Sequence, residues 1–116
     1  MADCIFCKII DKEIPAEILY EDDAVMAFPD IQPVAPVHIL IVPKRHIETV
    51  NDLSDNDGLL VGRLIITAKK LAEAKGIASS GYKLLFRTGP DGGQEVPHIH
   101  LHLIGGAKLS ENIKAI

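Results

Sequence analysis

The chain predicts an α+β fold, a mainly antiparallel sheet with one long and one short helix. Three observations carry that reading. A segment starting near Ser54 repeats apolar residues at helical spacing for about 20 residues, roughly 30 Å of helix. Short runs rich in β-branched residues, bounded by proline and glycine, lie before and after it. The order is segregated, and it leaves too few helices to cover both faces of a doubly wound parallel sheet. With 116 residues and neither repeat nor linker, the chain reads as one domain over residues 1–116.

The elements follow in order. In "CIFCKIIDKE" Ile5, Ile9 and Ile10 recur at helical spacing ahead of Pro15, which predicts the short helix. "AEILYEDDAVMAFPD" reads as two short strands around the turn Glu21-Asp22-Asp23. "PVHILIVPKRH" is a buried strand between Pro36 and Pro43. The long helix has Ser54 as its N-cap and Asp55 and Asp57 near its positive end. Leu60, Leu64 and Leu71 form its stripe, Gly62 marks a close packing contact, and Gly76 suits the C-cap. "GYKLLFRTG" and "HIHLHLI" are the last two strands, joined by the glycine-rich loop "PDGGQEVP".

Composition narrows the function. Hydrophobic content of 47% and charged content of 24% exclude global disorder. A net charge of −4 argues against long nucleic acids as partners. No stretch reaches the about 18 apolar residues of a membrane span, and the N-terminus lacks the shape of a signal peptide. Cys4 and Cys7 sit too close together for a secreted disulfide framework. A cytoplasmic location with reduced thiols is the expectation.

Chemistry concentrates in "HIHLHLIGG". Alternation on a strand puts His98, His100 and His102 on one face and Ile99, Leu101 and Leu103 on the other. Same-face neighbours lie about 6.5–7 Å apart, which suits three groups around one substrate better than three ligands on one metal. Imidazole titrates near neutrality, so it serves as nucleophile, proton donor or orienting partner. Just upstream, Gly92 and Gly93 let the loop present backbone N–H groups to an anion. Cys4-x-x-Cys7 supplies one arm of a zinc site; by itself it leaves zinc, buried thiols and a redox pair all open.

The run His98-Ile99-His100-Leu101-His102-Leu103-Ile104 matches the His-x-His-x-His-x-x signature of the histidine-triad (HIT) family. With "IFCKIIDKEIPAEILYEDDAVMAFPDIQPVAPVHILIVPKRHI" and "GGQEVPHIHLHLIGG", the chain resembles the family's nucleotide-binding (Hint) branch over nearly its whole length. That resemblance implies a homodimer with sheets joined across the interface, binding purine nucleotides and hydrolysing phosphoramidates or acyl-nucleotides at the α-phosphorus. It implies His100 as the nucleophile, His102 as the phosphate-binding group and His38 as support for the nucleophile. Gly93 would direct backbone donors to the phosphate, and Asp30 would hold the ribose hydroxyls. Ile5, Phe6, Ile9, Ile14, Phe28 and Ile31 would line the base cleft. Similarity to zinc-bearing bacterial members implies Cys4, Cys7, His46 and His98 as a structural zinc site, with no metal needed for catalysis.

Two alternatives stand beside this reading. One is cleavage of dinucleoside polyphosphates by the same nucleophile; the other is a zinc-stabilised nucleotide-binding module with little catalysis. The chain departs from the family pattern at Arg87, where many members carry Asn, and at Glu95, where animal members carry Ser. It also has Pro97 where Tyr or Phe is usual, and a C-terminal tail of its own. An ionised Glu95 cannot donate a hydrogen bond as Ser can, so it is expected to swing away, stay protonated or pair with Arg87.

Overall fold

The computed structural model describes residues 4–115. Helix α1 (Ile5–Ile10) is followed by strands β1 (Tyr20–Glu21), β2 (Val25–Pro29) and β3 (Val37–Pro43). Two 3-10 turns lead into helix α2 (Gly58–Ala74), and strands β4 (Tyr82–Leu85) and β5 (Leu101–Gly105) complete the fold. The five strands form one antiparallel sheet in the order β1-β2-β3-β5-β4. The expected α+β class and antiparallel sheet are therefore present.

Alternating side chains give the sheet two different faces. Val25, Ala27, Ile39, Ile41, Leu101 and Leu103 point to one side and pack with Leu64, Ala68, Leu71 and Ala72 of α2. Met26, Phe28, Leu40 and Val42 point to the other, where Cys4, Phe6 and Ile9 of the α1 segment cover them. At about 25 cal/mol per Å² of apolar surface, these two layers are the main stabilisation of the fold. The histidines lie on the α1 side because their neighbours Leu101 and Leu103 are claimed by α2.

Local chemistry explains the connections. Asp22 Oδ1 accepts the N–H groups of Ala24 and Val25, both at 2.8 Å, which turns β1 into β2. Arg63 on α2 reaches Asp22 Oδ2 at 2.7 Å and Asp23 at 3.2 Å, tying that turn to the helix. Lys75 closes α2 and Gly76, at φ +73, reverses the chain so that the Ile77 N–H meets the Ala72 carbonyl at 3.0 Å.

Three expectations need correction. Ser54 does not cap α2: its hydroxyl and its N–H both go to the Asp57 carboxylate, giving a 3-10 turn, and the helix begins at Gly58. Gly62 marks no close contact, since a Cβ there would meet nothing within 4 Å. The last strand begins at Leu101, not His98. The register pairing Ile41 with Leu101 sets Pro43 opposite Ile99, and proline has no N–H to extend the ladder. The Ile99 N–H turns instead to the Ile47 carbonyl at 2.6 Å.

Candidate functional site

On the α1 side of the sheet lies a cavity of about 770 Å³, a size suited to a small organic ligand. His38 from β3, and His100 and His102 from the last segment, line it. So do Asp30 and Gly93 and each of the apolar candidates Ile5, Phe6, Ile9, Ile14, Phe28 and Ile31. Ile31 is 88% exposed and so sits at the mouth, whereas Phe6 and Phe28 are buried and meet edge to face at 5.4 Å. Phe6 also stands edge-on to His100 at 5.0 Å, joining the apolar wall to the histidine row.

A chain of hydrogen bonds fixes the histidine tautomers. The backbone N–H of Val34 donates to His38 Nδ1 at 3.2 Å. The proton of His38 must then sit on Nε2, which donates to His102 Nδ1 at 2.9 Å. His102 in turn carries its proton on Nε2, a buried atom with no partner among the described residues. His100 Nδ1–H donates to the His98 carbonyl at 2.7 Å, which leaves the lone pair of its Nε2 unused. His38 thus bonds His102 and not His100. Asp30 Oδ2 lies 3.3 Å from His38 Nε2, while Oδ1 accepts the Gln32 N–H at 2.9 Å.

Burial keeps these rings neutral. Loss of hydration pushes His38 and His100 below the ordinary imidazole range, and it carries His102 down to about 4 with His100 and His38 adding to the effect. Asp30 opposes each shift, and Arg87 reinforces it. Neutral imidazoles can offer one lone pair and one N–H donor side by side; ring centroids of His100 and His102 are 4.8 Å apart.

The glycine-rich loop is held by Gln94. Its amide accepts the Gly89 N–H at 3.0 Å and donates to the carbonyls of Glu48 and Val96 at 2.6 and 2.9 Å. Gly93, at φ +79, gives its N–H to the Pro90 carbonyl at 3.1 Å. Glu95 and Arg87 both line the cavity, and no ion pair joins them among the described residues. One contributor escaped sequence reasoning, and a second was noted without a role. The Val34 N–H leaves no trace in residue type. Arg87 was readable, because alternation from Leu85, which pairs with His102, sets it on the histidine face.

Behind the histidine row, Cys4, Cys7, His46 and His98 bring their donor atoms within 4.8 Å of one another. Cys4 Sγ lies 3.3 Å from His98 Nδ1; Cys7 Sγ lies 3.3 Å from His46 Nδ1 and 3.6 Å from His98 Nδ1. Ligands on a tetrahedral zinc ion, at about 2.3 Å for sulfur and about 2.0 Å for nitrogen, stand roughly 3.3–3.8 Å apart. His98 Nε2–H donates to the Pro43 carbonyl at 2.8 Å, which aims the Nδ1 lone pair at the thiols. Burial, with Cys4 beside it, pushes the Cys7 thiol up to about 11, so that thiol ionises at neutral pH only with a cation beside it. The donor set fits a closed zinc site.

Comparison with known proteins agrees with this geometry. A family model described as the HIT domain matches residues 11–109. The purine nucleoside phosphoramidase of Escherichia coli strain K12 is 55% identical over 105 residues, 90% of this chain and 88% of that protein. A HIT family hydrolase from Legionella pneumophila superposes with a TM-score of 0.92 at 51% identity, covering 94% of this chain and 97% of that one. A HIT family hydrolase from Clostridium thermocellum gives 0.94 at 43% identity, over 98% and 99% of the two chains. The chain belongs to the HIT domain family.

Proposed function

We propose that this HIT-family hydrolase cleaves purine nucleoside phosphoramidates and acyl-nucleotides at the α-phosphorus through a nucleotidyl-histidine intermediate. The observation that carries the reading is the tautomer chain, which leaves a lone pair on His100 Nε2 and a proton on His102 Nε2 at the cavity floor. His100 Nε2 attacks phosphorus while His102 Nε2–H donates to a phosphoryl oxygen and stabilises its growing charge. The P–N bond breaks with its electron pair going to nitrogen, which leaves as an amine after taking a proton from solvent. Water then attacks phosphorus, the P–Nε2 bond returns its pair to His100, and the water proton is released to solvent. The products are the amine and a nucleoside monophosphate.

The remaining residues hold the substrate. The base sits among Ile5, Phe6, Ile9, Ile14, Phe28 and Ile31; Asp30 takes the ribose hydroxyls and the Gly93 loop walls the phosphate. His38 positions His102 and thereby the oxygen-binding donor. Cys4, Cys7, His46 and His98 hold a zinc ion that clips α1 to the sheet. The chain pairs with a second copy through the edge strand β4 and the exposed Leu59, Ile65 and Ile66 of α2. The relative named a purine nucleoside phosphoramidase supports the substrate class.

His100→Asn tests the chemistry. Turnover of an adenosine phosphoramidate is expected to fall at least about 1,000-fold, with AMP binding retained by calorimetry. Undiminished turnover in the variant would overturn the reading, and faster cleavage of a dinucleoside polyphosphate by the native enzyme would redirect its substrate class.

A further inference from the structure

The cavity has a floor and a rim of different chemistry. His38, His100 and His102 are buried at the floor. Glu17, Asp30 and Glu95 supply carboxylates, and Arg87 is the one lysine or arginine lining the cavity among the described residues. Arg87 is exposed and folds over the loop, with Cδ and Nη1 each 3.8 Å from where a Gly93 Cβ would stand. No carboxylate pairs with it among the described residues, so its guanidinium is available to a ligand. The Gly93 N–H beside it is already committed to the Pro90 carbonyl.

We propose that Arg87 is a specificity-determining residue that selects substrates whose leaving group carries a carboxylate beside the bond that breaks, as in an N-phosphorylated amino acid. The proposal rests on the hydrolase reading above. In-line displacement by a nucleophile on the floor sends the leaving group away from the floor, towards the rim. Apolar residues and Asp30 occupy the nucleoside side, which leaves the Arg87–Gly93 corner for the departing group. The planar guanidinium fork matches a carboxylate with two parallel hydrogen bonds, and water at the rim is displaced by the match.

The experiment compares two adenosine 5′-phosphoramidates, one built on glycine and one on glycinamide, with the native protein and with Arg87→Ala and Arg87→Lys. The readout is the ratio of kcat/KM for the carboxylate over the amide substrate, which cancels general effects on folding or on the phosphorus. Arg87→Ala is expected to lower that ratio about 10-fold or more, and Arg87→Lys to restore part of it through charge without the fork. The native ratio should fall with added salt, because the pair is exposed, and the Arg87→Ala ratio should not. A ratio equal in native and Arg87→Ala proteins overturns the proposal while leaving the hydrolase reading intact. Absence of turnover of both substrates by the native protein defeats that reading and the proposal together.

Discussion

At the scale of single residues, protons and lone pairs decide the chemistry. The alternating histidines differ because each ring meets a different neighbour: a thiol pair for His98, a carbonyl for His100, a second imidazole for His102. Nitrogen-15 spectra at neutral pH should show His100 protonated on Nδ1 and both His38 and His102 on Nε2. Finding His102 protonated on Nδ1 would break the chain that starts at Val34. His102 also has a pH signature. Its folded value of about 4 lies below the ordinary 6.5, so the unfolded chain binds the proton first as pH falls. Stability contributed by the neutral ring is complete above 6.5 and drains away between 6.5 and about 4. The urea midpoint of His102→Asn should therefore change less with pH across that window than the native midpoint; equal slopes would contradict the shift.

At the scale of elements, one face of the sheet is given to packing against α2, while the other is packed by α1 and also carries the cavity. Leu103 is fully buried on the α2 side, so Leu103→Ala should cost about 2–5 kcal/mol in urea unfolding. Gly92 is required by the loop's shape: a Cβ there would collide with the Thr88 carbonyl oxygen and lie 2.7 Å from its nitrogen. Gly92→Ala should therefore displace the loop that carries Gly93 and Glu95, lowering kcat/KM about 10-fold or more while moving Tm less than Leu103→Ala does. A variant with native kcat/KM would show that the loop does not wall the substrate. Much of this was legible. The apolar residues at 99, 101 and 103 announced which way the histidines face, and Asp30 follows its strand as the pattern "AFPDI" suggests. Boundaries were less so. Asp57 outcompetes the helix for Ser54, and Pro43, far away in sequence, delays the last strand. Periodicity reveals neither, because the first turns on a side-chain hydrogen bond and the second on a residue distant in sequence.

At the scale of the whole molecule, the Cys4–Cys7–His46–His98 cluster and the histidine row are mechanically joined, because the carbonyl of His98 holds His100 while its ring faces the thiols. Elemental analysis should find one zinc per chain, and a strong chelator should lower Tm. No metal at one per chain would remove the proposed clip. That His46 and His98, far apart in sequence, meet beside the cysteines follows from the antiparallel β3–β5 pairing, which local spacing does not reveal. Among the described residues no helix is long and apolar enough to cross a membrane. Sedimentation should give a dimer, and charged substitutions at Ile65 and Ile66 should shift it to monomer.

The covalent intermediate is the most direct test. A single turnover with adenosine phosphoramidate, stopped in alkali and followed by peptide mass spectrometry, should place one AMP moiety on His100. A nucleotide on any other side chain, or the same adduct formed by His100→Asn, would contradict the account.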